Sequence, residues 1–172
     1  ATSRHFRPDW LFLLQCLLLV ALIAGLSNPY LPDEQATTAP NRTIFVIDIL
    51  RASTVICAAL HHGARAVLPA STTEEALRLA QTIGAPDMLL CGERGGLPIP
   101  GFALGNSPLE MTAAAVRGRT LVMTTTNGTP ALLATQGAAA VYLAAAANLS
   151  AAVAAARDAL DARGECMILC AG

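Results

Sequence analysis

From Thr43 onward, short unbroken apolar runs alternate with stretches whose apolar positions recur at helical spacing. The runs are "TIFVIDI" (43–49), "ARAVLPA" (64–70), "MLLCG" (88–92), "RTLVMT" (119–124), "VYLAAA" (141–146) and "CMILCAG" (166–172). Continuous apolar runs of this length read as strands buried on both faces. Between them, "STVICAALHH" (53–62), "STTEEALRLAQTIG" (71–84), "SPLEMTAAAV" (107–116), "ALLATQG" (131–137) and "SAAVAAARDALDAR" (150–163) predict helices. Ser71 with Glu74, and Ser107 with Pro108 and Glu110, read as helix starts. Strands alternating with helices predict an α/β domain with a mostly parallel sheet and helices on both faces.

Residues 1–42 do not share this pattern. "WLFLLQCLLLVALIAGL" (Trp10–Leu26) follows Arg4 and Arg7 and precedes a polar, proline-bearing stretch. Its seventeen residues are just long enough to cross a bilayer. No small-x-small cleavage site follows, so a membrane anchor, a signal sequence and a buried helix all stay open. The expected organisation is a hydrophobic leader and linker at 1–42 and a domain at 43–172.

The segment "TTTNGTPAL" (124–132) has two readings. Asn-Gly commonly closes a hairpin, but Thr129-Pro130 and the helical spacing after it predict a strand-to-helix turn. Thr129 is expected to cap that helix, with Gly128 at positive φ. Such a turn presents hydroxyls and backbone N–H groups where anions bind.

Ligands of open parallel sheets bind beyond the carboxyl ends of the strands. Here those ends carry Asp48, Arg51 and Ser53, then Glu93, Arg94 and Gly95, then Thr125, Thr126, Asn127, Gly128 and Thr129. Two carboxylates, two arginines and a polar turn on one edge suit a divalent cation together with a phosphate. Asn106 and Ser107 are partly explained as caps, as are Asn148 and Ser150. His61 and His62 suit a helix C-terminus.

Composition narrows the chemistry. A net charge of −1 offers no electrostatic footing for nucleic acid. All eleven basic residues are arginine, which excludes a Walker phosphate loop and a Schiff-base lysine and favours forked recognition of oxyanions. The five cysteines are odd in number and form no C-x-x-C, which reads as reduced thiols. An aspartyl-phosphatase signature would need aspartate where Leu50 stands. A cysteine phosphatase would need arginine at Gly63 or Leu97, six places after Cys57 or Cys91. What remains is metal-assisted hydrolysis, with Asp48 as a covalent nucleophile left open. A non-catalytic anion-binding module is the alternative from another class.

"VIDILRAST", "GERGGLPIPGFALGNSPLE", "TTTNGT" and the closing "CAG" together resemble the 2-phosphosulfolactate phosphatases, the ComB family, over residues 43–172. The resemblance implies an α/β fold of that family's kind and a Mg2+-dependent phosphomonoesterase. It implies hydrolysis of 2-phospho-3-sulfolactate to 3-sulfolactate and phosphate on the route to coenzyme M, in the cytoplasm. A related phosphatase with a different substrate is a further alternative. The family pattern continues past "CAG", so the domain is expected to be incomplete at its C-terminus.

The expected site has Asp48 and Glu93 as metal ligands and, with Arg51 and Arg94, as the catalytic group. Ser53, Gly95, Asn106, Ser107, Thr125, Thr126, Asn127, Gly128 and Thr129 would contact substrate. The expected partner is a small anion bearing phosphate plus sulfonate or carboxylate, not nucleic acid. A homo-oligomer, and membrane contact or export through residues 10–26, are left open.

Overall fold

The structure, a computed structural model, describes residues 42–84 and 87–171, all within the unit Pro32–Gly172. The expectations placed on the leader at 10–26 and on Gly172 fall outside the described residues. Among the described residues, no helix is long and apolar enough to cross a membrane.

Among the described residues seven strands form: β1 (Thr43–Ile47), β2 (Ala66–Pro69), β3 (Met88–Arg94), β4 (Leu97–Pro98), β5 (Thr120–Thr124), β6 (Ala140–Ala144) and β7 (Met167–Cys170). The helices are α1 (Ala52–His61), α2 (Thr73–Ile83), α3 (Ala113–Val116), α4 (Gly128–Leu133) and α5 (Leu149–Arg163). The chain is α/β as expected, but its strands divide into two sheets. One is all parallel in the order β6-β1-β7, and the other runs β2-β5-β3-β4 with only β4 antiparallel.

Alternation along β5 explains why the second sheet is covered twice. Leu121 and Met123 join Val55, Ile56, Ala59 and Cys91 in one cluster under α1. Val122, between them, faces the other way and packs with Ala70, Ala76 and Leu79 under α2. Successive strand side chains point to opposite faces, so one strand feeds both layers. Val122 is fully enclosed, and burial of such a side chain stabilises by roughly 1.5–3 kcal/mol. In the first sheet, Ile44, Val46 and Leu169 pack against Ala131, Leu132 and Ala134 of the α4 segment, and α5 packs on β1 and β6.

Local starts and stops differ from expectation where a side chain had two partners to choose from. The helix start predicted at Ser71 lies one residue later: Thr72 Oγ1 accepts from Glu75 N at 3.1 Å, and Glu75 Oε2 accepts from Ser71 N at 2.8 Å. The helix predicted over 107–116 is broken into a 3-10 turn at Pro108–Glu110 and α3. Ser107 makes no side-chain cap bond: Glu110 N donates to Ser107 O at 3.1 Å instead, Glu110 Oε2 accepts from Gly105 N at 2.6 Å, and Thr112 starts α3. Asn148 does not cap α5 with its side chain. It accepts from Ala145 N at 2.8 Å and donates to Leu143 O at 2.9 Å, fixing the exit of β6. His62 sits where expected, its Nδ1 2.9 Å from Ala58 O at the α1 terminus.

Candidate active site

The parallel strands carry three polar segments to one edge. β1 ends in Asp48, whose backbone N donates to Ala144 O at 3.1 Å while Ala171 N donates to Ile47 O at 2.9 Å. Asp48 is therefore held between the ends of both neighbouring strands. β3 carries Glu93 as its last residue but one, and β5 runs into the turn at Thr125–Asn127. A cleft of about 300 Å3 lies there, lined by Asp48, Leu50, Arg51, Ala52, Glu93, Gly95, Gly96, Asn106, Thr125, Thr126, Asn127, Gly128 and Ala171.

Two glycines make the edge compact. A Cβ on Gly92 would stand 1.8 Å from Thr124 O, so only glycine lets β3 and β5 approach there. That approach brings the next residue, Glu93, onto the turn after β5. Glu93 Oε1 accepts from Thr126 N at 2.7 Å, and Oε2 accepts from Gly96 N at 2.7 Å and Thr126 Oγ1 at 3.1 Å. Gly95 N donates to Thr126 Oγ1 at 3.0 Å. Burial would raise the Glu93 carboxyl, but these N–H and O–H bonds and the Arg51 charge outweigh it, so the net shift is downward. Glu93 is a stable carboxylate with three of its roughly four acceptor sites engaged.

Asp48 has the opposite balance. Burial raises its pKa most, the Glu93 charge adds to the rise, and the Ala52 N–H bond and Arg51 charge only partly offset it. Its Oδ1 is fully enclosed and has no hydrogen-bond partner among the described residues. Asn106 Oδ1 is in the same state. Unpaired buried acceptors are costly, on the order of 1–3 kcal/mol each, so both oxygens are poised for a donor or a cation.

The threonine turn is a strand-to-helix turn, as predicted, but its parts are used differently. Thr129 does not cap α4; Asn127 occupies that position and makes no side-chain cap bond. Thr129 and Thr125 instead lock each other: Thr125 N donates to Thr129 Oγ1 at 2.9 Å, and Thr129 N to Thr125 Oγ1 at 3.0 Å. Gly128 is not at positive φ. It is needed for space, since a Cβ there would meet Ala52 Cβ at 2.4 Å and Asp48 Oδ2 at 2.8 Å.

Of the expected site residues, the structure gathers Asp48, Arg51, Glu93, Gly95, Asn106, Thr125, Thr126, Asn127 and Gly128 around the cleft. Arg94, Ser53, Ser107 and Thr129 do not line it. Arg94 points along the sheet edge, donating to Ser71 O at 2.8 Å, Thr124 Oγ1 at 2.5 Å and Glu93 O at 3.3 Å. Ser53 is buried within α1. Arg51 is the arginine that lines the cleft, and its side chain is exposed there. Leu50, Ala52, Gly96 and Ala171 also line the cleft without having been expected as site residues, and none carries a polar side chain that would have signalled it.

No group of three or more His, Cys, Asp or Glu able to hold a metal occurs among the described residues. A hard cation fits the cleft by another route. Its donors there would be Asp48 Oδ1, the amide oxygen of Asn106 and the remaining acceptor site of Glu93, all oxygen as Mg2+ prefers.

The sequence model of the 2-phosphosulpholactate phosphatase family matches residues 30–172. A probable 2-phosphosulfolactate phosphatase of Deinococcus radiodurans is 54% identical over 129 residues, 74% of this chain and 52% of its own length. Those of Clostridium acetobutylicum and Symbiobacterium thermophilum are 49% identical over 100 residues and 45% identical over 131. These cover 58% and 76% of this chain, and 42% and 55% of the relatives. The chain spans about half the length of the curated relatives it matches. The sheet edge described above therefore lies within the matched region, and the chain belongs to the 2-phosphosulfolactate phosphatase family.

Proposed function

We propose that this chain carries the catalytic edge of a Mg2+-dependent phosphomonoesterase acting on 2-phospho-3-sulfolactate, on the route to coenzyme M. Family membership and the names of the relatives support the reaction class and a small anionic substrate. The observation that carries the site is the enclosed, unpartnered Asp48 Oδ1 beside Arg51 in a cleft at the strand ends.

Asp48 and Glu93 would hold the cation. When bound, Mg2+ supplies charge neutralisation at the phosphoryl oxygens and lowers the pKa of a coordinated water. Arg51 pairs its forked guanidinium with the phosphoryl group or the second anionic arm of the substrate. Asn127 and Gly128 line the same cleft, and their backbone N–H groups would add donors to the anion. These act as individual N–H groups, because six-residue α4 has only a short macrodipole. Glu93 fixes the Thr126 N–H and so sets the pitch of that turn. Arg94 braces the edge from outside and contacts no substrate.

Phosphate release from 2-phospho-3-sulfolactate by this chain, with and without Mg2+, tests the reading. Mg2+-dependent turnover that Asp48→Asn abolishes is expected. Saturable phosphate binding without any Mg2+-dependent release would instead identify a non-catalytic anion-binding module.

A further inference from the structure

Asn106 reaches the cleft by a route that neither strand pattern nor helix capping requires. The loop after β4 passes beside β3: Leu104 bridges Cys91 in parallel, and Gly92 N donates to Leu104 O at 3.2 Å. Gly105 N is then held by Glu110 Oε2 at 2.6 Å. The loop thus behaves as a further parallel strand for one step, and its next residue, Asn106, arrives at the edge where β3 delivers Glu93.

There the Asn106 side chain is only 8% exposed, and its Oδ1 is enclosed without a partner among the described residues. Asp48, at 6% exposed, lines the same cleft and has an equally enclosed, unpartnered Oδ1. Both residues line this one cleft, which at about 300 Å3 has room for a small hydrated ion. A fully ionised phosphate ester or sulfonate brings acceptors only and satisfies neither oxygen. A divalent cation satisfies both, and amide oxygens are ordinary ligands for hard cations.

Resting on the cation reading above, we infer that Asn106 is a neutral oxygen ligand of the divalent cation, not a contact to the substrate anion. Charge explains the residue type. Asp48 and Glu93 already balance a 2+ ion, and a third carboxylate would leave the site negative and repel an anionic substrate. An amide adds a ligand without adding charge.

Calorimetric titration of the chain with MgCl2, followed by inorganic phosphate, tests this. Asn106→Ala is expected to weaken Mg2+ binding about 10- to 100-fold, as loss of a supporting group at a metal site does. Asn106→Asp is expected to bind Mg2+ more tightly than wild type while binding phosphate more weakly, a split that a structural role would not produce. Circular dichroism checks that each variant is folded, and the Asp variant decides the matter should the Ala variant unfold. Unchanged Mg2+ binding in the folded Asn106 variants, with loss in Asp48→Asn, overturns the role of Asn106 alone. Unchanged binding in Asp48→Asn as well, or no Mg2+ binding by wild type, overturns the cation site itself.

Discussion

Gly128 and Asp48 approach so closely that a Cβ on the glycine would stand 2.8 Å from Asp48 Oδ2. The same atom would stand 2.4 Å from Ala52 Cβ, at the start of the helix whose N–H holds Asp48. The glycine is therefore a spacer that lets the turn after β5 close over the carboxylate at the end of β1.

Gly128→Ala is expected to destabilise by about 1–3 kcal/mol, the usual cost of overpacking a tight site, and to reduce turnover with it. Gly128→Val is expected to be worse. Urea midpoints and phosphate release measure the two effects. Wild-type stability in Gly128→Ala would show that the α1 and β5 segments yield at no cost.

Asp48 is predicted to make the protein's stability fall with rising pH. Its folded pKa lies above its ordinary value of 3.8, so between the two the native state holds more protons than the unfolded state. Stability therefore declines as pH rises through that window. Asp48→Asn should remove this decline, making the variant relatively more stable than wild type above the window. Saturating Mg2+ should restore wild type there by favouring the ionised carboxylate. Urea midpoints of both proteins across the acid range, with and without Mg2+, give the comparison. A wild-type curve that rises relative to Asp48→Asn in the absence of Mg2+ contradicts the assignment.

Glu93→Gln should act through the turn it holds. Glutamine presents an NH2 group to one of the two N–H donors that Glu93 now accepts, at Thr126 and Gly96. Loss of a charge-assisted bond costs roughly 1.5–3 kcal/mol. For a chain of this size that corresponds to a Tm drop of about 3–12 °C, at some 2–4 °C per kcal/mol. Because the folded Glu93 pKa is lowered, this contribution is present above the ordinary carboxylate range and lost as pH falls through the folded value. Thermal melts near neutral pH and in acid should therefore converge for wild type and variant.

The two arginines separate by readout. Arg51→Ala removes the cleft's exposed guanidinium and is expected to raise KM by about 10- to 100-fold, the equivalent of one charge-assisted hydrogen bond, with little change in Tm. Arg94→Ala removes bonds to Ser71 O and Thr124 Oγ1 and is expected to lower Tm first. A large KM effect at Arg94 with Tm unchanged would place it in contact with substrate after all.

The sequence by itself determined six of the seven strands found among the described residues, most helix positions and which strand ends would be polar; β4, inside a predicted loop, and the division into two sheets came only from the structure. The features legible in sequence depend on residue periodicity and on chemistry carried within a few neighbours, as in the runs ending at Asp48, Glu93 and Thr124. It also carried the family motifs in order. Only the tertiary structure decided which polar side chain turns where. Arg94 follows a cleft residue, Glu93, in sequence, but the packing of α2 against β3 and β5 put Ser71 beside it and its guanidinium bonds there instead. Glu110 could cap its own helix or take Gly105 N, and the course of the loop along β3 selected the second. Thr129 was readable as a cap until its pairing with Thr125 showed otherwise. Gly128 needs space and not positive φ, because Asp48 and Ala52 come from a strand and helix some eighty residues earlier in sequence. Partners chosen across that distance leave no local signal, since only the folded sheet edge brings them together.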